Sequence, residues 1–207
     1  MSVTITREIA QKVRDIVDAG LVNGVGVAEP GKMCVEAAVC FALGLPHGDD
    51  PGCVSQPLRR LKIRLNDAQW SSSEARAAGL RRLAVAQLGS AGTLDDRAFV
   101  HRVVDMTIRK IVPGALRAAG LVKPKQAGAL EAAAVRCEVE GTRDACQNGE
   151  RVARAAYDAY AASAAAYAAY ARTRDRVLAE YAEWVVEILI DMQAPGCQFL
   201  DLVPVAA

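Results

Sequence analysis

Apolar positions recur at helical spacing along nearly the whole chain, and few segments alternate as a half-buried strand would. Ile9, Val13, Ile16 and Val17 line one face of a first predicted helix, which Gly20 can end because glycine tolerates a left-handed backbone. After the turn "NGVGVAEPG" a second helix is expected from about Gly31 to Gly44, and a third from about Pro57 to Asp67 with Leu58, Leu61 and Leu65 on one side. In "SSSEARAAGLRRLAVAQLG", Ser71 stands three residues before Glu74, the spacing of a capping box, and Gly89 closes the segment. Thr93 and Asp96 repeat that device more weakly before a helix carrying Phe99, Val103, Ile108 and Ile111 that is expected to stop before Pro113.

"KPKQ" reads as a short break and "AGALEAAAVRCEVEG" as a helix ending at Gly141. From Thr142 to about Met192 the helical pattern is nearly continuous, as two helices joined near Thr173 or one bent helix. Its first part is an alanine tract that places Tyr157, Tyr160, Tyr167 and Tyr170 within one side of the wheel, where alanine permits close helix approach and tyrosine can bury its ring with its hydroxyl wet. Its second part sets Val177, Tyr181, Trp184, Ile188 and Met192 on a core-facing stripe, and Pro195 and Gly196 leave "CQFLDLVPVAA" as an extended tail. No solenoid-type repeat is present. The expected fold is an all-α bundle of about six to eight helices in one domain, 1–207, with a long Ala/Tyr-rich helix near the C-terminus. A weak boundary near 113–125 would separate a Cys/His-containing part from the long-helix part.

Composition narrows the classes. The 25 Lys and Arg nearly balance the 24 Asp and Glu, so no global field favours nucleic acid or an anionic membrane. The N-terminus spreads its charges as no secretory signal does, and "WVVEILIDM" is too short for a span and carries Glu187 and Asp191. An intracellular, cytoplasmic protein is therefore expected, with its six cysteines reduced.

Four features could carry chemistry. Gly26 to Lys32 fits the glycine, four residues, glycine, lysine part of a phosphate loop, but Met33 replaces the hydroxyl that would bind magnesium and Pro30 removes an amide. Glu36 stands alone in the apolar "MCVEAAVCFAL", where desolvation would raise its pKa as in a general acid or base; a structural pairing with Arg59, Arg60 or Arg64 is the alternative. His47, Asp49, Asp50 and Cys53 occupy the loop beyond that helix and could bind a ligand, or a metal through His47 and Cys53 with one aspartate. Cys34 is separated from them by a helix of roughly 15 Å, zinc-type paired spacing is missing, and a turn set by Asp50-Pro51-Gly52 explains the same letters. Arg59, Arg60, Lys62 and Arg64, extended by Arg81 and Arg82, could neutralise phosphates, though no aromatic residues interleave for base stacking. His101 and the scattered serines show no nucleophile beside a base.

From "GLVNGVGVAEPGKMCVEAAVCFALGLPHGDDPGCV" through "LRRLKIRLNDAQW" to "ILIDMQAPGCQFLDL" the chain resembles a set of bacterial and phage-associated proteins. That resemblance implies an intracellular bacterial setting or a mobile element and brings no activity, ligand or catalytic residue with it. The residues favour a non-enzymatic helical protein that binds a protein partner or itself through the tyrosine face, with no cofactor and no membrane. The alternatives are a ligand- or metal-binding protein or enzyme centred on Glu36 and the His47 to Cys53 loop, and nucleic-acid binding by the Arg59 to Arg64 face.

Overall fold

The computed structural model describes the backbone of residues 4–157 and 164–205 and the side chains of 4–153 and 174–205. The fold is all-α. Nine α-helices lie among the described residues: α1 (Arg7–Asp18), α2 (Val35–Ala42), α3 (Gln56–Asn66), α4 (Ser73–Ala86), α5 (Asp96–Met106), α6 (Val112–Val122), α7 (Ala127–Glu140), α8 (Arg143–Tyr157) and α9 (Ala164–Asp191). None of them is long and apolar enough to cross a membrane. The chain divides into two compact units, one formed by Met1–Phe99 with Ala165–Ala207 and the other by Val100–Ala164. Residues 113–125, where the sequence suggests a boundary, form most of α6 and the turn after it, inside the second unit.

In the first unit, α1 is capped by the Thr6 hydroxyl and stopped at Gly20, whose φ of +114° suits glycine. Its buried face is Ala10, Val13, Ile16 and Val17. The cap of α4 is Ser72, whose Oγ accepts from the Ala75 amide at 3.1 Å, rather than the expected Ser71. Ser71 instead donates its backbone N–H to Asp175 Oδ1 of α9 at 2.9 Å, a tertiary use that helical spacing could not reveal. Likewise Asp95 caps α5, accepting from the Ala98 amide at 3.0 Å, while Asp96 accepts from Ser55 Oγ at 2.6 Å.

The C-terminal segment is not an extended tail. Pro195–Leu202 forms 3-10 turns against α1 and α4, burying Phe199 and Val203. Arg82 fixes both neighbours of α4, with Nε 2.9 Å from Glu183 Oε1 and Nη1 donating to the Val203 carbonyl at 2.7 Å. Gly196 permits the close approach: a Cβ there would stand 2.4 Å from the Val85 carbonyl oxygen and 2.7 Å from that of Ala86.

In the second unit the helix does not stop before Pro113. From α5 the chain passes through one π-type turn, Thr107–Ile111, directly into α6. Pro113 lies two residues past that π-type turn, and the wider spacing accommodates its ring and its missing N–H. The core here is small: Ile108, Leu116, Leu130, Ala133, Ala134, Cys137 and Ala145. Arg109 donates to the carbonyls of Glu138, Val139 and Glu140 at 2.6, 2.9 and 3.1 Å, satisfying the end of α7 before the left-handed Gly141. The backbone of α9 continues through Thr173 without the expected junction.

Gly196→Ala should lower stability by about 1–3 kcal/mol, because the contact is with backbone that cannot rotate away. Gly114→Ala, in α6 with open space at the Cβ position, should raise it by about 0.5–1 kcal/mol through helix propensity. Midpoints of urea unfolding check both.

Candidate functional site

The glycine-rich turn after α1 folds back on itself. Val22 N–H donates to the Met33 carbonyl at 3.0 Å, Val27 N–H to Lys32 at 2.8 Å, and Cys34 N–H to Val25 at 3.2 Å, with Gly26 and Met33 paired as an antiparallel bridge. These amides are therefore spent inside a hairpin and none of them is presented to a phosphate. Gly26, with φ +71°, is required here because a Cβ would stand 2.0 Å from the Lys32 carbonyl oxygen. Lys32 itself pairs with Glu29 Oε2 at 2.7 Å.

The hairpin delivers the chain to α2, which begins four residues later than expected because 31–34 form its second arm. Cys34 caps α2, its Sγ accepting from the Ala37 amide at 3.3 Å. Asn66 at the end of α3 then locks hairpin and helix together, accepting from Val35 N–H at 3.2 Å and donating to the Val22 carbonyl at 2.8 Å.

Glu36 faces α3 and is closed over completely. Its partner is Lys62 rather than Arg59, Arg60 or Arg64: Nζ lies 3.2 Å from Oε1, and both side chains are 0% exposed. Beyond this ion pair, no hydrogen-bond partner reaches either carboxylate oxygen or Nζ among the described residues. Burial dominates both titrations. It raises the Glu36 pKa against the lowering pull of Lys62, and it lowers the Lys62 pKa against the raising pull of Glu36. The buried positions on α3 are 58, 62, 65 and 66, so Lys62, one turn from Leu58, occupies a core position while Leu61, expected on the buried stripe, is only partly covered.

Arg59 is directed elsewhere. Its Nε donates to the Asp49 carbonyl at 2.6 Å and its Nη2 to Asp49 Oδ1 at 2.7 Å, clamping the returning loop onto α3. Asp50 Oδ1 accepts from the Gly52 amide at 3.3 Å, the short-range bond of an aspartate turn. His47 is exposed, with Nε2 3.0 Å from the Gly26 carbonyl oxygen. A carbonyl can only accept, so that bond puts the proton on Nε2. Cys53 is buried with Cys34 and Cys40. Burial pushes all three thiols up, Cys40 to about 11, which disfavours the nucleophilic thiolate. Among the described residues no group of three or more His, Cys, Asp or Glu side chains is placed to hold a metal ion.

The basic stretch is divided by packing. Arg60 and Arg64 are exposed, but Lys62 lies in the core and Arg59 serves Asp49. Arg81 meets Asp18 at 2.8 Å, and Arg82 is held by Glu183. Of the tyrosines, Tyr160 lies outside the described residues, and the side chains of Tyr157, Tyr167 and Tyr170 are outside the described ones as well.

What sequence reasoning passed over is the outward side of the second unit. Ala115, Ala118, Leu121 and Val122 on α6 and Ala132, Val135 and Val139 on α7 are all exposed, Leu121 at 86% and Val139 at 72%. A signal was available, since "VPGALRAAGLV" contains a single charge, Arg117, and that residue is shared between Glu131 and Glu138 at 2.9 and 2.5 Å. Compared with protein-family models, curated proteins and solved structures, the chain matches none.

A substrate could touch Glu36 or Lys62 only after α2 had separated from α3. The pair is therefore built to fasten two helices. Lys62→Met should destabilise the fold by about 3–5 kcal/mol and the double change Glu36→Leu with Lys62→Met should recover most of that. The pH dependence separates the partners. In Lys62→Met the folded Glu36 pKa stays above its unfolded value, so the folded state binds the extra proton and stability falls as pH rises above the ordinary carboxylate range. In Glu36→Leu the folded Lys62 pKa stays below its unfolded value, so stability falls as pH is lowered. Unfolding midpoints of both variants across pH 4 to 9 check the two opposite slopes.

Proposed function

We propose that this is a non-enzymatic binding protein that acts by self-association through the outward faces of α6 and α7. The observation that carries the reading is the exposed apolar positions Ala115, Ala118, Leu121 and Val122 of α6 with Ala132, Val135 and Val139 of α7, whose neighbouring charges, Arg117, Glu131 and Glu138, are paired with one another. Single exposed apolar residues are ordinary, but a helix whose solvent side has no free charge has little reason to be stable in water alone. Alanine and glycine on α6 would let a second backbone approach closely, with leucine and valine supplying the contact area.

The chemistry of the first unit supports the same reading. Glu36 is consumed by Lys62, Asp49 by Arg59 and the glycine turn by its own hairpin, so each catalytic candidate there has a structural use.

Sedimentation velocity over a range of concentrations tests this. The unmodified protein should sediment as a dimer or larger species, and Leu121→Lys with Val135→Lys should yield a monomer with unchanged helix content. A protein that remains monomeric at its highest attainable concentration would remove self-association as its mode of action.

A further inference from the structure

Cys137, near the end of α7, and Cys146, near the start of α8, both pack on the small core of the second unit. Gly141 ends α7 in the left-handed conformation and Thr142 opens α8, accepting at its carbonyl from Cys146 N–H at 3.1 Å. The two helices are joined by a two-residue turn and pack on each other, and positions 137 and 146 are nearly equidistant from that turn in sequence. Cys137 belongs to the small core of the second unit and Cys146 packs against that same core. The Cys137 sulfur points at α8, lying 3.7 Å from where a Cβ on Gly149 would be, and Gly149 is one turn along from Cys146 on the same side. Cys137 is fully buried, whereas Cys146 is partly open to solvent. No other described role uses either thiol.

We propose that Cys137 and Cys146 are a redox-modification site, closing to an intrachain disulfide when the protein meets hydrogen peroxide. Cys146, the accessible sulfur, attacks the peroxide O–O bond; it becomes a sulfenic acid and one water leaves. The Cys137 thiol then attacks the Cys146 sulfur, the S–O bond breaks, the S–S bond forms, and a second water carries off the oxygen and the remaining proton. Two thiols lose two electrons in all, and the peroxide is reduced to two waters. Cys34, Cys40 and Cys53 are all buried in the first unit. Burial pushes the partly exposed Cys197 up to about 11 and raises Cys137 as well, which leaves Cys146, by its exposure, as the first sulfur to react. Because the turn between the helices is short, the new bond would tie α7 to α8 and hold the second unit closed, without depending on the self-association proposed above.

The test is a peptide map of the whole, unsubstituted protein. The folded chain is exposed to hydrogen peroxide, denatured, alkylated without reduction and cut with trypsin. Arginines at 136, 143 and 151 place the two cysteines in separate adjacent peptides, CEVEGTR and DACQNGER. The expected product is these two linked, or an uncut 137–151 peptide, lacking both alkyl groups and two hydrogen atoms and restored by reductant. In Cys137→Ala the Cys146 sulfenic acid should persist long enough for dimedone to trap it. The proposal is overturned if both peptides of the peroxide-treated protein carry alkyl groups, if Cys146 proceeds to sulfinic acid with Cys137 still free, or if either cysteine links elsewhere.

Discussion

The pairing of Glu36 with Lys62 sets the terms for the first unit. Each charge alone would be costly in a site closed to water, so α2 and α3 must hold the register that brings Nζ to within 3.2 Å of Oε1. Much around the pair serves that register. The hairpin ahead of α2 spends its amides on itself, Cys34 caps the helix, and Asn66 ties both to the far end of α3. Arg59 on the same helix fastens the loop that returns from α2. The residues with the most chemical promise are thus those most fully committed to structure.

The second unit is stabilised differently. Its core consists of a few aliphatic residues, alanines and Cys137, too small to supply much hydrophobic stabilisation by itself. Arginines make up part of the difference by capping and cross-linking helices: Arg109 on the last carbonyls of α7, Arg117 between Glu131 and Glu138, and Arg136 between Glu140 and Asp144. These pairs are half exposed, and exposed ion pairs contribute little each. A thin core joined to an uncovered apolar side is the physical situation in which association or a covalent tie gains most.

Helix existence was legible wherever local rules suffice. Spacing and caps located α1, α3 and α7 closely, with Gly20 and Gly141 at their ends, because amphipathic period and left-handed stops are properties of a few neighbouring residues. Legibility failed where a local signal competed with a distant partner. Ser71 looked like a cap and is held by Asp175, which leaves the cap to Ser72. Pro113 looked like a stop and is accommodated by a π-type turn, and the C-terminal residues looked like a tail until α1 and α4 supplied a surface to fold upon.

By itself, then, the sequence determined an all-α protein, the position of most helices, and the fact that Glu36 would sit in an apolar helix needing a partner. Only the tertiary structure decided which partner. Four basic residues on α3 could reach for that carboxylate, and helical rotation sends Arg60 and Arg64 to solvent, Arg59 to Asp49 and Lys62 inward. The same division governs the cysteines: six letters say nothing of neighbours, and the packing of α7 and α8 is what brings Cys137 and Cys146 to one core. Periodicity is written in sequence because it depends on residues three or four apart; pairing across helices depends on how those helices pack, which no short stretch of chain contains.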